Sequence, residues 1–388
     1  MFLKKLVVIS SLFAFMSTAA MANEPLAYLA DAPHHYASLG IDQNETAIWE
    51  DGMRTDGREG SYEWWYTDAE FDDGTTVVVV FYTKNIFDVS GPAHPTAAIN
   101  VNFPDGEALE YIIHGPKGQV LQAAKDHADV SIDESYIRYV DDHYELKFVI
   151  DDFVFEARMD STLPMYRPAS GHWFFGKKSE DYFAWFVAQP SSNITATLTR
   201  DGSVMELNGT GYHDHNWGNS PIHEGINHWY WARVKVGEYD AILVDLIAAE
   251  KYGYERVPIV MLAKDGEILK TNEHAPEIIR TNTRIHQGTG KFFDYTLTFI
   301  QQANDGVIYQ IDLNAEQDLE VYSFLEALPW YQKILAKLAG ENPTYLRVLG
   351  GATLTITDED AVETFTHKGL WEQMFFGSNE HAIIGQQR

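Results

Sequence analysis

The chain has 388 residues, and its 57 acidic side chains against 28 basic ones give a formal net charge of −29. This charge repels phosphate groups, so nucleic acids and anionic membrane surfaces are excluded as partners held by electrostatic attraction. The 45% hydrophobic and 13% aromatic content excludes a disordered acidic chain. Because cysteine is absent, disulfides, thiol nucleophiles and thiolate metal sites are excluded as well.

Residues 1–22 have the pattern of a signal peptide. Lys4 and Lys5 form a basic start, an apolar run follows over residues 6–19, and an A-x-A cleavage site ends at Ala22. We therefore expect export and cleavage near Ala22, which gives a periplasmic or secreted mature chain; a retained membrane anchor is the alternative. No later apolar run is long enough to span a bilayer, so we expect no transmembrane segment in the mature chain.

Strand patterns dominate the rest of the chain. Short runs rich in β-branched and aromatic residues alternate with turn residues, as is typical of antiparallel sandwiches and barrels. The runs cover residues 75–83, 144–150, 153–159, 195–199, 204–207, 241–248, 257–263 and 295–301, with Asp-Gly turns at 72–74, 200–203 and 264–266. We therefore predict an all-β fold. One exception is Glu326 to Leu338, whose helical spacing of apolar residues predicts a packing helix near residues 327–339.

A weak internal repeat indicates two related units. Gly60-Ser-Tyr-Glu-Trp-Trp-Tyr-Thr-Asp68 aligns with Gly225-Ile-Asn-His-Trp-Tyr-Trp-Ala-Arg233 at an offset of 165 residues, which places Tyr66 on Trp231. An apolar strand follows each copy. The repeat predicts two related barrels, each begun by an aromatic strand; a chance match between two aromatic-rich strands is the alternative.

The most informative segment is Gly209-Thr-Gly-Tyr-His-Asp-His-Asn-Trp-Gly-Asn219. Ordinary strands avoid Asp and Asn, whereas this segment carries ionisable and aromatic side chains, as a strand facing a functional cavity would. Alternate residues of an extended strand share a face. The expected faces are Tyr212, Asp214 and Asn216 on one side and His213, His215 and Trp217 on the other. A polar turn with hydrogen-bonded histidines is the alternative.

Three kinds of chemistry compete for these residues. A carboxylic acid enclosed by aromatic surface, such as Asp214, stays partly protonated and can protonate an alkene or enol, and aromatic faces then stabilise the cation. His213 and His215 share a face that suits a metal, although no third ligand is identifiable. Serine hydrolysis is disfavoured because a G-x-S-x-G motif is absent. Glu63 and Arg233 lie within the aromatic strands and form either a buried ion pair between the units or ligand contacts.

These segments resemble the carotenoid 1,2-hydratase (hydroxyneurosporene synthase) family, together with its relatives described as predicted secreted hydrolases. The resemblance is carried by Gly60-Ser-Tyr-Glu-Trp-Trp-Tyr66, by the segment from Gly209 to Gly218, and by Tyr345-Leu-Arg-Val-Leu-Gly350 with Gly369-Leu-Trp-Glu372. It implies two lipocalin-like barrels in tandem, here roughly residues 40–222 and 223–388.

The resemblance also implies roles for three residues. In the family, the Asp of a Tyr-x-Asp motif protonates a terminal isoprenoid double bond, and water captures the cation. That Asp falls on Asp214, the Tyr falls on Tyr212, and a Trp beside the cation falls on Trp185. The family's hydratases have a His two residues before this Trp, where the present chain has Phe183.

The expected function is that of an exported enzyme that uses a buried Asp as general acid on an apolar unsaturated, isoprenoid-like substrate, by hydration, cyclisation or isomerisation. The expected catalytic residues are Asp214, Tyr212 and Trp185. Substrate contacts are expected from Glu63, Trp64, His213, His215, Asn216, Trp217 and Arg233, with no metal and no cofactor. The alternative is a non-catalytic carrier of a lipophilic ligand. The direction of the Asp214 side chain separates the two, because a carrier has no need of an unpaired carboxyl in an apolar pocket.

Overall fold

The computed structural model describes residues 26–55, 57, 59–87, 89–271, 273–325, 342–359 and 361–377. The expected signal peptide and the helix expected near residues 327–339 lie outside the described residues. The described part contains two short α-helices, α1 (Pro33–Leu39) and α2 (Ile222–Gly225), and 3₁₀ turns at Ile48–Asp51 and Glu250–Tyr252. No helix of this part is long and apolar enough to cross a membrane.

Strands make up most of the described residues and form two antiparallel sheets. The first sheet contains β1 (Ala27–Leu29), β2 (Tyr62–Phe71), β3 (Thr76–Tyr82), β4 (Thr96–Asn102), β5 (Ala108–His114), β6 (Gln122–Ala123), β7 (Asp129–Ile132), β8 (Ser135–Val140), β9 (His143–Ile150), β10 (Phe153–Ser161), β11 (His172–Phe175), β12 (Asp181–Arg200) and β13 (Ser203–Gly218). The second contains β14 (Ile226–Val236), β15 (Tyr239–Ala248), β16 (Arg256–Lys264), β17 (Glu267–Ile268), β18 (Glu277–Ile285), β19 (Phe292–Gln302), β20 (Ile308–Ser323), β21 (Thr344–Asp358) and β22 (Ala361–Phe375).

Asp-Gly turns join several of these strands, as their sequence predicts. Asp201 and Gly202, between β12 and β13, have φ angles of 49° and 74°, and Asp265 and Gly266, between β16 and β17, have φ angles of 53° and 81°. Tight hairpins favour two left-handed residues in succession, and Asp followed by Gly adopts that conformation with little strain. The turn chemistry therefore fixes where these strands end.

Each sheet is curled around a core of its own. The first has the strand order β5-β4-β3-β2-β13-β12-β10-β9-β8-β7-β6, with β11 on β12 and β1 on β11; the second has the order β17-β16-β15-β14-β22-β21-β20-β19-β18. Val101 of β4 and Val130 of β7 lie near opposite ends of the first sheet, yet they belong to one buried cluster. Leu262 of β16 and Phe299 of β19 lie near opposite ends of the second sheet and likewise belong to one buried cluster. The predicted all-β, lipocalin-like architecture is confirmed, while a domain boundary near residue 222 stays a prediction.

A third buried cluster joins the two sheets. It combines side chains of the first sheet, such as Trp64 and Trp185, with side chains of the second, such as Ile242 and Met374. Burial of this apolar surface between the sheets stabilises their packing. A cavity lined by residues of both sheets lies within this interface.

The two repeat strands, β2 and β14, occupy equivalent places in their sheets. β2 lies between β3 and β13, and β14 lies between β15 and β22. The matched residues Tyr66 and Trp231 meet across the interface with ring centroids 6.3 Å apart. Asp214 pairs with Tyr66 in the first sheet, and Glu372 pairs with Trp231 in the second. The repeat therefore places one carboxylic acid of each sheet at an equivalent position.

Candidate active site

A cavity of about 330 Å³ lies between the two sheets. Its aromatic lining residues are Trp64, Tyr66, Tyr82, Trp173, Phe183, Trp185, Trp229, Trp231, Tyr322, Phe324 and Tyr345. The carboxylic acids that line it are Glu110, Asp214, Glu320 and Glu372. Small-molecule sites typically enclose about 300–1,000 Å³ and combine apolar walls with a few polar groups. This cavity therefore suits an apolar molecule, or one end of a longer one.

Strand β13 presents the faces that its sequence predicts. Asp214 and Asn216 line the cavity, and the Tyr212 side chain is buried in the cluster between the sheets. His213 and His215 point to the opposite side, where their partners belong to the interior of the first sheet. The alternation of an extended strand therefore separates the polar residues of one short segment into two environments.

Three donors hold the carboxyl group of Asp214. Trp185 Nε1 and the Tyr212 hydroxyl donate to Oδ2 at 2.8 and 2.7 Å, and Asn216 Nδ2 donates to Oδ1 at 2.7 Å. Burial disfavours the charged form and raises the pKa of Asp214 to about 6, although the three donors act in the opposite direction. A fraction of the molecules therefore carries a protonated Asp214 near neutral pH.

An aromatic wall runs from one sheet to the other beside this carboxyl. The Phe183 ring stacks between Trp64, at 5.8 Å, and Trp229, at 6.1 Å, while Trp185 lies 6.1 Å from Trp173. Phe183, at the position where the resemblance implies a His, makes this part of the wall apolar. The faces of such rings stabilise a desolvated cation.

A second carboxyl group, Glu372, enters the cavity from the second sheet. The Tyr345 hydroxyl donates to Oε2 at 2.6 Å, and Trp229 Nε1 donates to Oε1 at 3.4 Å. Burial raises the pKa of Glu372 to about 7, against the effect of these donors and of the nearby Arg347. Glu372 lies in one of the segments that carry the family resemblance, but its sequence context predicts no role for it.

Four of the expected substrate contacts lie away from the cavity. His213 Nε2 is 3.2 Å from Asp51 Oδ2, and His215 Nε2 is 2.7 Å from Glu63 Oε1. Burial alone would lower the pKa of His213, but the Asp51 carboxylate outweighs it and holds the pKa above its ordinary value. The Trp217 ring lies 4.8 Å from His215 on the same side. A molecule in the cavity would not touch these four side chains.

Arg233, a fifth expected substrate contact that does not line the cavity, also has a structural partner. Its Nη2 lies 2.5 Å from Asp68 Oδ1, so an ion pair does link the two sheets, but Glu63 is not part of it. No group of three or more His, Asp or Glu side chains in the described part of the chain is placed to hold a metal ion.

The structure thus brings only part of the expected site to the cavity. Trp64, Trp185, Asp214 and Asn216 line it, and Tyr212 contacts it through Asp214. The catalytic and binding roles given to these residues stay predictions.

The fold and the cavity define a lipocalin-like protein with a largely apolar cavity between two sheets. The model of the carotenoid hydratase CrtC family matches residues 78–309, which is more than half of the chain. The chain therefore belongs to the carotenoid hydratase CrtC family. Asp214, Tyr212 and Trp185 lie inside the matched region, and Glu372 and Tyr345 lie beyond it.

Relatives with known names share parts of the chain. It is 28% identical over 207 residues to the hydroxyneurosporene dehydrogenase of Chlorobaculum tepidum. The aligned region covers 45% of this chain and 53% of that protein. It is 23% identical over 280 residues to the ceramide-binding protein svf1 of Emericella nidulans. That aligned region covers 66% of this chain and 68% of svf1. The chain thus spans about half the length of the first of these relatives. The crystal structure of CghA has the same fold, with a TM-score of 0.58 at 15% identity over 92% of this chain and 100% of that one.

Proposed function

We propose that the protein is an exported enzyme that protonates an apolar unsaturated, isoprenoid-like substrate from Asp214 and leads the cation to a hydrated, cyclised or isomerised product. The observation that carries this proposal is the placement of the Asp214 carboxyl in an aromatic cavity, where burial raises its pKa to about 6. The family membership and the relative named hydroxyneurosporene dehydrogenase support the substrate class.

The three donors to Asp214 favour proton transfer to the substrate. When Asp214 gives its proton to an alkene carbon, a carboxylate replaces the neutral acid. Hydrogen bonds from Tyr212, Trp185 and Asn216 strengthen as this negative charge develops. Such fixed donors, aimed at a group whose charge appears in the transition state, lower the barrier without reorganising. In this account Tyr212 and Trp185 stabilise the product carboxylate, and the Trp185 ring also stabilises the cation.

The aromatic wall protects the cation after protonation. A carbocation in water is captured at once, whereas a dry site controls which nucleophile reaches it. Phe183, at the position where the resemblance implies a His in the family's hydratases, presents an apolar ring to the cavity. This apolar ring favours cyclisation or isomerisation within the proposed range of outcomes, since neither needs a water molecule held at that position.

A second candidate is a carrier of a lipophilic ligand. It is supported by the match to the ceramide-binding protein svf1, which covers two thirds of both proteins. A carrier would bind its ligand through the same apolar walls. Such binding would not use the acidic proton of Asp214, whose carboxyl is held by three hydrogen bonds, so ligand binding by a carrier should not depend on that proton.

One experiment separates the candidates. The mature protein is incubated with the apolar lipids that co-purify with it and, separately, with farnesol as an acyclic isoprenoid probe, and products are identified by mass spectrometry. Asp214→Asn keeps the size and the hydrogen-bonding capacity of the side chain but has no acidic proton. We expect turnover to fall about 10²–10⁴-fold while ligand binding survives. The exposed Asp201→Asn is the matched control. Binding without any turnover in the unaltered protein would favour the carrier.

A further inference from the structure

We propose that Glu372 is a second catalytic residue of this cavity: it accepts the proton that is released when the cation formed by Asp214 is captured by water or collapses to a new double bond. This inference rests on the proposed function and deepens it. It assigns the base that the acid step leaves unexplained.

The position of Glu372 follows from the relation between the two sheets. Glu372 stands opposite Trp231 on the strand next to β14, as Asp214 stands opposite Tyr66 on the strand next to β2. Tyr66 and Trp231 are matched residues of the sequence repeat, and their rings meet across the interface. The two carboxyls therefore line one cavity from facing sheets.

The surroundings of the two carboxyls are also alike. Each accepts one hydrogen bond from a tyrosine hydroxyl and one from a tryptophan indole. For Asp214 the donors are Tyr212 and Trp185; for Glu372 they are Tyr345 and Trp229. A side chain that served only to fill space would not need a matched pair of polar donors, because a buried polar group is unfavourable unless it is hydrogen-bonded. The arrangement holds each carboxyl in place with oxygen atoms at the cavity surface.

Both carboxyls titrate near neutral pH. Burial raises the pKa of Asp214 to about 6 and that of Glu372 to about 7. Molecules in which the two carboxyls hold one proton between them are therefore present near neutral pH, and in such molecules one carboxyl can donate while the other accepts. The ionisable groups that face Glu372 are Tyr345 and Arg347 of β21, Tyr66 and Asp68 of β2, and Tyr82 of β3.

Tyr66 adds a further polar group to the cavity that holds the two carboxyls. The Tyr66 hydroxyl is buried, lines the cavity and has no hydrogen-bond partner among the described residues. Its ring lies 6.2 Å from Tyr212 and 6.3 Å from Trp231. Burial raises the pKa of Tyr66 well above its ordinary value, so it stays neutral and can donate to or accept from a water molecule in the cavity.

Each proton that moves in the two steps has a named donor and a named acceptor. Asp214 transfers its proton to an alkene carbon, the π electron pair forms the new C–H bond, and the neighbouring carbon becomes a cation. For hydration, water oxygen forms the C–O bond and its proton passes to the Glu372 carboxylate. For isomerisation or cyclisation, a C–H bond beside the final cation breaks, its electron pair forms the double bond, and Glu372 takes that proton. Exchange with solvent then returns Asp214 to the acid form and Glu372 to the carboxylate, with no oxidant or reductant.

The test uses farnesol in ²H₂O with the mature protein and Glu372→Gln, which keeps the shape of the side chain but cannot take up the proton. We expect product formation to fall at least about 10²-fold. Recovered farnesol should still gain deuterium, because Asp214 still forms a cation that returns to alkene. Glu363→Gln, an exposed residue on the same strand, is the matched control. Product formation at the unaltered rate in Glu372→Gln would overturn the proposal.

A second variant keeps the proposal testable if Glu372→Gln does not fold. Tyr345→Phe removes the short hydrogen bond to the Glu372 carboxylate and raises the pKa of Glu372 further. Turnover at low pH should therefore fall, because a larger fraction of Glu372 is protonated there, while turnover unchanged at every pH would overturn the role of Glu372. Failure of the proposed function is seen separately: the unaltered protein then neither forms product nor places deuterium in farnesol.

Discussion

Asp68 Oδ1 and Arg233 Nη2 lie 2.5 Å apart across the interface of the two sheets, and both side chains are largely withdrawn from solvent, with exposures of 2% and 15%. The two residues are 165 positions apart, which is the offset of the sequence repeat. Their ion pair therefore ties equivalent positions of β2 and β14 to each other. It fixes the relative placement of the strands that flank Asp214 and Glu372.

Breaking this ion pair should destabilise the protein. Asp68→Asn leaves the Arg233 charge buried without its partner, which costs about 3 kcal/mol of the free energy of unfolding. Urea unfolding followed by tryptophan fluorescence measures the change. Glu156→Gln, which breaks the more exposed pair with Lys147, is the control and should change stability by less than about 1 kcal/mol. Equal effects of the two substitutions would show that the interface pair has no special role.

The Tyr212 hydroxyl tunes the acidity of Asp214. Tyr212→Phe removes a 2.7 Å hydrogen bond that favours the carboxylate, so the pKa of Asp214 should rise further above about 6. An acid with a higher pKa stays protonated to higher pH, and the falling limb of the turnover–pH profile should move upward. Tyr139→Phe, which removes a hydroxyl that contacts Asp142, is the control and should leave the limb in place. A downward shift for Tyr212→Phe would contradict the assignment of Asp214 as donor.

Trp185 is expected to serve both binding and rate. Trp185→Ala removes ring packing and a cation-stabilising face, so farnesol binding, measured by fluorescence titration, and turnover should both weaken. Trp185→Phe keeps a ring and loses only the donor to Asp214, and it should retain most of the binding. If Trp185→Ala left turnover intact, the cation would have to be stabilised elsewhere in the cavity.

The histidines of β13 should affect stability and not turnover. His215→Gln disturbs a fully buried 2.7 Å contact with Glu63 and should cost about 1–3 kcal/mol of the free energy of unfolding. Turnover should remain, because His215 faces away from the cavity. Thermal unfolding, activity and elemental analysis are measured together. Loss of turnover together with loss of a bound metal would replace the acid mechanism with a metal-dependent one.

Local patterns in the sequence predicted a large part of this structure. The Asp-Gly turns mark hairpin ends because few residues adopt two successive left-handed conformations. Strand geometry alone predicts that alternate residues of β13 share a face. It therefore places Tyr212, Asp214 and Asn216 on one face and the residues between them on the other. The repeat pointed to the two strands that meet at the interface.

What the sequence did not reveal depends on contacts between distant segments. Glu372 follows Trp371 and precedes Gln373, and nothing in this context distinguishes it from an ordinary strand residue until the two sheets pack and bring it to the cavity. His213 and His215 share a strand face and therefore looked suited to a metal. Their partners, Asp51 and Glu63, belong to a remote part of the chain, so the sequence could not show that both histidines already have carboxylate partners. Spacing within a strand defines a face, whereas the groups that meet that face are set by the tertiary fold.

The most direct test of the central claim is the fate of the solvent proton. Farnesol is incubated in ²H₂O with the mature protein and with Asp214→Asn, and the products and recovered substrate are analysed by mass spectrometry and NMR. If Asp214 protonates the alkene, the unaltered protein should form a new C–²H bond at the former alkene carbon. Deuterium incorporation should be at least about 10²-fold slower with Asp214→Asn. Product formed without a C–²H bond, or equal incorporation by both proteins, would contradict this role of Asp214.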